Sequence, residues 1–124
     1  MPIDRRKIME ILQTEAKVVG TSDTDIFSSN VPEKTFRYIV RIDLIGDGVA
    51  SRTVDIKYKD ESGNYTTKFP MIPVPPADVR QIPEGSWDIE NPILVLEGGT
   101  NLAGKVNAGA GVSLVVTWWD DEVL

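Results

Sequence analysis

The chain contains no cysteine and no histidine. Without cysteine there is no disulfide framework and no thiolate metal site. Without histidine the commonest metal ligand and general base is missing too. Any catalysis would have to rest on carboxylates, lysines or hydroxyls, and neither a metal site nor a cofactor is expected. Basic residues are in the minority, with 13 Lys and Arg against 19 Asp and Glu, for a formal charge of -6. Attraction to nucleic acid is mostly neutralisation of phosphates by Lys and Arg, so direct nucleic-acid binding is not expected. Long apolar runs are lacking as well. No window approaches the ~20 apolar residues of a membrane span, and the opening MPIDRRKIMEILQ has no signal-type apolar core or small-residue cleavage pattern. The protein is therefore expected to be made on the cytoplasmic side, with no membrane partner.

What is present is a β pattern. At 124 residues the chain is long enough for one domain with an ordinary core. Residues 4 to 14 read as the one helix: Asp4 suits an N-cap, Ile3 and Ile8 fit a hydrophobic staple, and Ile8, Ile11 and Leu12 recur at helical spacing. Arg5, Arg6 and Lys7 crowd its first turn, where the helix dipole disfavours positive charge. They read either as a solvated face or as an arm that docks on an acidic partner surface. Residues 16–30 look irregular, apart from a short strand at 25–28, so residues 1–23 are assigned to an N-terminal arm and 24–124 to a β domain.

The clearest strand runs from Thr35 to Ile45, with Phe36, Tyr38, Val40, Ile42 and Leu44 expected inward. Residues 53–59 and 65–69 form a hairpin around Asp60, Glu61, Ser62, Gly63 and Asn64, whose composition reads as turn chemistry rather than a calcium loop. Residues 70–92 hold Pro70, Pro73, Pro75, Pro76, Pro83 and Pro92 and read as an extended crossing between sheets, anchored by Val79, Ile82, Trp87 and Ile89. Three strands follow, at 93–96, 102–107 and 111–119, with Gly98-Gly99 and Ala108-Gly109-Ala110 as turns. Seven to nine strands and one short N-terminal helix make a mainly β protein, an antiparallel two-sheet β-sandwich.

The final strand is apolar on both faces: Val112, Leu114, Val116 and Trp118 on one, Val115 and Trp119 on the other. Adjacent residues of a regular strand point to opposite faces, so one tryptophan is core and the other is expected to be exposed or covered by a partner. Val115, Trp118, Trp119, Trp87, Arg5, Arg6 and Lys7 are accordingly the candidate interface residues. No catalytic constellation stands beside them. The carboxylates at Asp120, Asp121 and Glu122 are sequence neighbours, whereas a glycosidase needs two facing each other across a cleft; they read as a solubilising tail. The glycine pairs precede no helix and so lack the dipole of a phosphate cradle. Lys57, Lys59 and Lys68 make too small a basic patch to suggest nucleic acid.

Residues 24 to 120 resemble, in the order of their elements, the small jelly-roll-like virion proteins of tailed bacteriophages. The matching features are the turn from Asn30 to Lys34 leading into the long strand, the Gly-tipped hairpin, the proline-rich crossing, and the NPILVLEGG stretch before the terminal strands. The basic helix departs from that pattern. The resemblance implies a non-enzymatic structural role in the virion after synthesis in the host cytoplasm: a homo-oligomer, often a trimer, decorating or stabilising a capsid or a head or tail accessory. Its partners would be further copies and other virion proteins such as the major capsid protein. The competing reading is a carbohydrate-binding β-sandwich module, in which exposed Trp87, Trp119 or Tyr65 would stack on sugar rings.

Overall fold

The computed structural model describes residues 5–109 and 111–122; of Arg5 only the backbone is described. Asp4 and Ile3, the expected cap and staple, and the turn residue Ala110 lie outside these. The chain runs α1 (Arg5–Ile11), β1 (Gln13–Val19), β2 (Thr24–Asp25), β3 (Thr35–Ile45), β4 (Arg52–Lys59), β5 (Tyr65–Val74), β6 (Val79–Ile82), β7 (Leu94–Leu96), β8 (Asn101–Val106) and β9 (Val112–Glu122).

All strand pairs are antiparallel, and they form two sheets. One has the order β1-β9-β3-β6, with β7 also paired to β3; the other has the order β2-β8-β4-β5. The first strand lies beside the last, the second beside the one before it, and pairing nests inward from the two ends. That nesting, distributed over two facing sheets, is the jelly-roll order.

Two alternation rules expected from the sequence give way to specific local chemistry. In β3 a register shift between Ile39 and Arg41 inserts one extra residue against β9. Such a bulge reverses which residues face the core. Arg37 and Ile39 point inward before it, Ile42 and Leu44 after it, whereas Tyr38 and Val40 lie on the outer face. The expectation that Tyr38 and Val40 belong to the inner set is thus corrected, and Phe36 is exposed. In β5 the prolines do not end the strand. Pro70 and Pro73 sit within it because β5 is an edge, where an N–H directed to solvent is dispensable. The crossing expected over residues 70–92 therefore begins after Val74 and contains β6.

The N-terminal segment also differs. The helix ends at Ile11, and residues 13–19, expected as part of an arm, form β1, which pairs with β9 from Gln13↔Trp118 to Val19↔Val112. These residues are part of the sandwich sheet. The acidic residues at 120–122 are likewise strand: Asp120, Asp121 and Glu122 pair with Arg37, Phe36 and Thr35 of β3.

The main core lies between the sheets and includes Ile39, Ile42, Leu44, Val54, Ile56, Leu102, Val112, Leu114, Val116 and Trp118. A second, smaller cluster on the outer face of the five-stranded sheet joins Ile8 of α1 to Val40, Ile89 and Trp119, with Leu12, Tyr38 and Trp87 packed against it.

Candidate interaction surface

The two tryptophans of β9 do point to opposite faces, and both are buried within the chain, Trp118 at 5% exposure and Trp119 at 6%. Trp118 enters the main core with its ring edge-on to Phe27 at 4.7 Å and the Arg37 guanidinium 5.0 Å from its centre. Trp119 faces outward but is roofed by the chain itself. It stacks on Tyr38 at 4.3 Å, packs with Ile8 of α1, and its indole N–H donates to the Ile89 carbonyl at 3.3 Å. The expectation that one tryptophan is left for a partner is therefore corrected. A short amphipathic helix and the 87–89 stretch supply the cover, a long-range packing event that strand alternation does not reveal. Val115 is half-buried on the same outer face, between Ala16 of β1 and Asp43 of β3, and Trp87 is half-buried at the rim of the second cluster. Arg6 and Lys7 lie exposed on α1.

Several titratable groups are tied to near neighbours. The Asp47 carboxylate accepts the N–H groups of Val49 and Ala50 at 2.9 and 3.2 Å and the Arg52 Nε at 2.8 Å. The Val49 N–H, then Arg52 and Ala50, draw its pKa from 3.8 down to about 2. Tyr58 donates to Glu97 at 2.9 Å, and burial, reinforced by that carboxylate, pushes its phenol from 10.0 up to about 12. Lys59 and Tyr65 share Asp25, at 2.7 and 2.8 Å, and the bond to Asp25 raises both pKa values. Lys57 meets Asp23 at 2.7 Å, and Lys68 lies 5.6 Å from the Tyr58 ring. The lysine patch seen in the sequence is thus matched by carboxylates and a ring face. Among the described residues no group of three or more Asp or Glu is placed to hold a metal.

Three features were not anticipated. Asn101, 1% exposed, ties down the segment that carries Phe27: it accepts the Phe27 N–H at 3.3 Å and donates to the Phe27 carbonyl and to Asn30, both at 3.1 Å. A shallow groove of about 320 Å³ is lined by Phe36, Tyr58, Lys68, Leu94, Val95 and Glu97. The third is the edge of β1, unpaired by any other strand of the described residues, where Glu15, Ala16, Lys17 and Val18 follow one another. Its available signal was the β-branched pair Val18-Val19 ahead of Gly20; the Thr-Glu-Ala-Lys run before it shows no apolar alternation. Among the described residues no helix is long and apolar enough to cross a membrane.

Comparison with known proteins returns no match, either to a protein-family model or to a curated sequence.

Proposed function

We propose that the protein is a non-enzymatic structural subunit of a virus particle, assembling as an oligomer that decorates or stabilises a phage capsid or a head or tail accessory. The observation that carries this reading is the nested jelly-roll order of the nine strands among the described residues, an architecture much used for capsid proteins. Fold alone does not determine function. The ties of Asp25 to Lys59 and Tyr65, of Asp23 to Lys57 and of Glu97 to Tyr58 support a building block over a catalyst. Its partners are further copies of the chain and other virion proteins such as the major capsid protein, with the basic turn of α1 as a contact for an acidic surface. Immunogold electron microscopy with an antibody to the purified chain tests it. Label on capsids, necks or tails is expected, and label absent from every particle fraction overturns the proposal.

A carbohydrate-binding role is favoured by one observation, the exposed Phe36 beside Tyr58, Lys68 and Glu97 in the 320 Å³ groove. The aromatics first considered for it do not form a platform: Trp119 is buried, Trp87 is half-buried and the Tyr65 hydroxyl is bound to Asp25. A glycan array read with wild type and Phe36→Ala decides this; binding lost in the variant would move the function to sugar recognition.

A further inference from the structure

The edges of the two sheets are not equally protected. β2, β6 and β7 are four residues or shorter, and the ten-residue β5 carries Pro70 and Pro73. β1 is a seven-residue edge with no proline, and its Val18 is 59% exposed. A long edge of this kind leaves a row of backbone N–H and C=O groups available to another strand. An edge lysine such as Lys17 commonly deters such pairing, but here Glu15 lies two residues before it. Neither takes part in an ion pair among the described residues, and Oε2 of Glu15 is buried without a hydrogen-bond partner.

We propose that β1 pairs antiparallel with β1 of a second copy about a two-fold axis centred on Ala16, joining two five-stranded sheets into one. The sequence of the strand is self-complementary in that register alone. Ala16 stands opposite Ala16, Thr14 opposite Val18, and Glu15 opposite Lys17 on both sides of the axis. Each of the two Glu15–Lys17 pairs brings a carboxylate against an ammonium, and the buried Glu15 oxygen gains a cation. On the outer face Val115, half-buried next to Ala16, continues an apolar strip across the axis to its counterpart. Such a contact is isologous and closes at two copies, unlike the trimer implied by the sequence resemblance. The inference rests on the reading of the chain as a self-assembling subunit and names the surface by which it does so.

Light scattering on the full chain gives the first test, with a mass of twice 13.7 kDa expected. Glu15→Lys or Lys17→Glu alone replaces two attractive pairs with two repulsive ones and weakens the dimer about tenfold or more. The double exchange E15K/K17E restores it, which a merely local role of either residue would not do. Because the chain has no cysteine, Ala16→Cys introduces a single thiol that meets its own copy and yields a covalent dimer on oxidation. In the same register a cysteine at Thr14 is separated from its counterpart by more than the limit of about 7 Å between Cα atoms, and it does not cross-link. A monomer at all concentrations, a dimer without the Ala16→Cys bridge, or equal bridging by both cysteines overturns the proposal. A trimer without the bridge overturns the β1 register and leaves the structural-subunit reading standing. A bridged dimer that labels no particle has the opposite meaning.

Discussion

Arg37 and Asp120 are direct partners on β3 and β9, and the guanidinium grips the carboxylate with two bonds, Nε to Oδ1 at 2.8 Å and Nη2 to Oδ2 at 2.9 Å. The same guanidinium lies 4.5 Å from the centre of the Phe27 ring, so one cation joins the end of β9 to the 27–30 segment. Removing it leaves a carboxylate without its partner and a gap beside the Phe27 and Trp118 rings. Arg37→Ala is expected to cost about 2 to 3 kcal/mol, below the ~3–5 kcal/mol of a fully buried broken pair because Asp120 is partly solvated. Arg37→Lys recovers only part of this, since an ammonium cannot form the fork. Urea unfolding of the three proteins checks it; a loss below about 1 kcal/mol in the alanine variant would contradict the role.

Asp47 makes stability depend on pH in a definite direction. Its folded pKa of about 2 lies below the ordinary 3.8, so the unfolded chain binds its proton first as pH falls. The contribution is fully present above 3.8 and disappears as pH falls through 2. Thermal unfolding of wild type and Asp47→Asn should therefore differ most above pH 5 or so and converge near pH 2. A difference that stays constant across this range would mean that the carboxylate charge is not what holds the 47–52 turn.

The helix α1 works as a lid on Trp119. Ile8→Ala deletes the buried side chain that docks it, and losses of about 2 to 5 kcal/mol accompany such deletions where the whole unit unfolds together. Red-shifted tryptophan emission and rapid amide exchange confined to residues 5–12 are expected if the helix releases alone. Trp119→Glu is expected to destabilise the monomer itself, because the residue stacks on Tyr38 inside the chain. A well-folded Trp119→Glu monomer would return that residue to the list of intermolecular contacts.

Gly46 is required by close approach. A Cβ there would collide with the Pro75 carbonyl oxygen and lie 2.7 Å from that of Pro76, both backbone atoms that cannot rotate aside. At Gly104 the nearest atom to a new Cβ is the Leu114 Cδ1 at 2.7 Å, the end of a flexible side chain. Gly46→Ala should consequently cost more than Gly104→Ala, about 3 kcal/mol or more against about 1 to 2. Midpoints in urea compare them directly, and the reverse ranking would refute the explanation.

The legibility of the fold varied by element. β3 was readable to its end residues because its eleven residues are rich in β-branched and aromatic side chains, which outweigh any competing pattern. β1 was invisible, since an edge strand exposed on much of its surface needs no apolar alternation, and Thr-Glu-Ala-Lys carries none. The bulge in β3 was equally hidden: Val40 is apolar on either face, and only its pairing with β9 shows which one it takes. Of the candidate interface residues, the positions of Trp118 and Trp119 on opposite faces followed from strand geometry. The cover over Trp119 did not, because it depends on α1, more than a hundred residues earlier in the chain.

The amino-acid sequence determined the class of structure through short-range physics. Period-two apolar patterning, glycine and proline punctuation and the lack of cysteine and histidine suffice for a two-sheet β protein without thiol or imidazole chemistry. The tertiary structure decided what each surface is free to do. Whether an apolar face is core, covered or open depends on which distant segment lies on it, so Trp119 on the second face of β9 is covered by α1 and the 87–89 stretch, and among the described residues β1 is an edge strand.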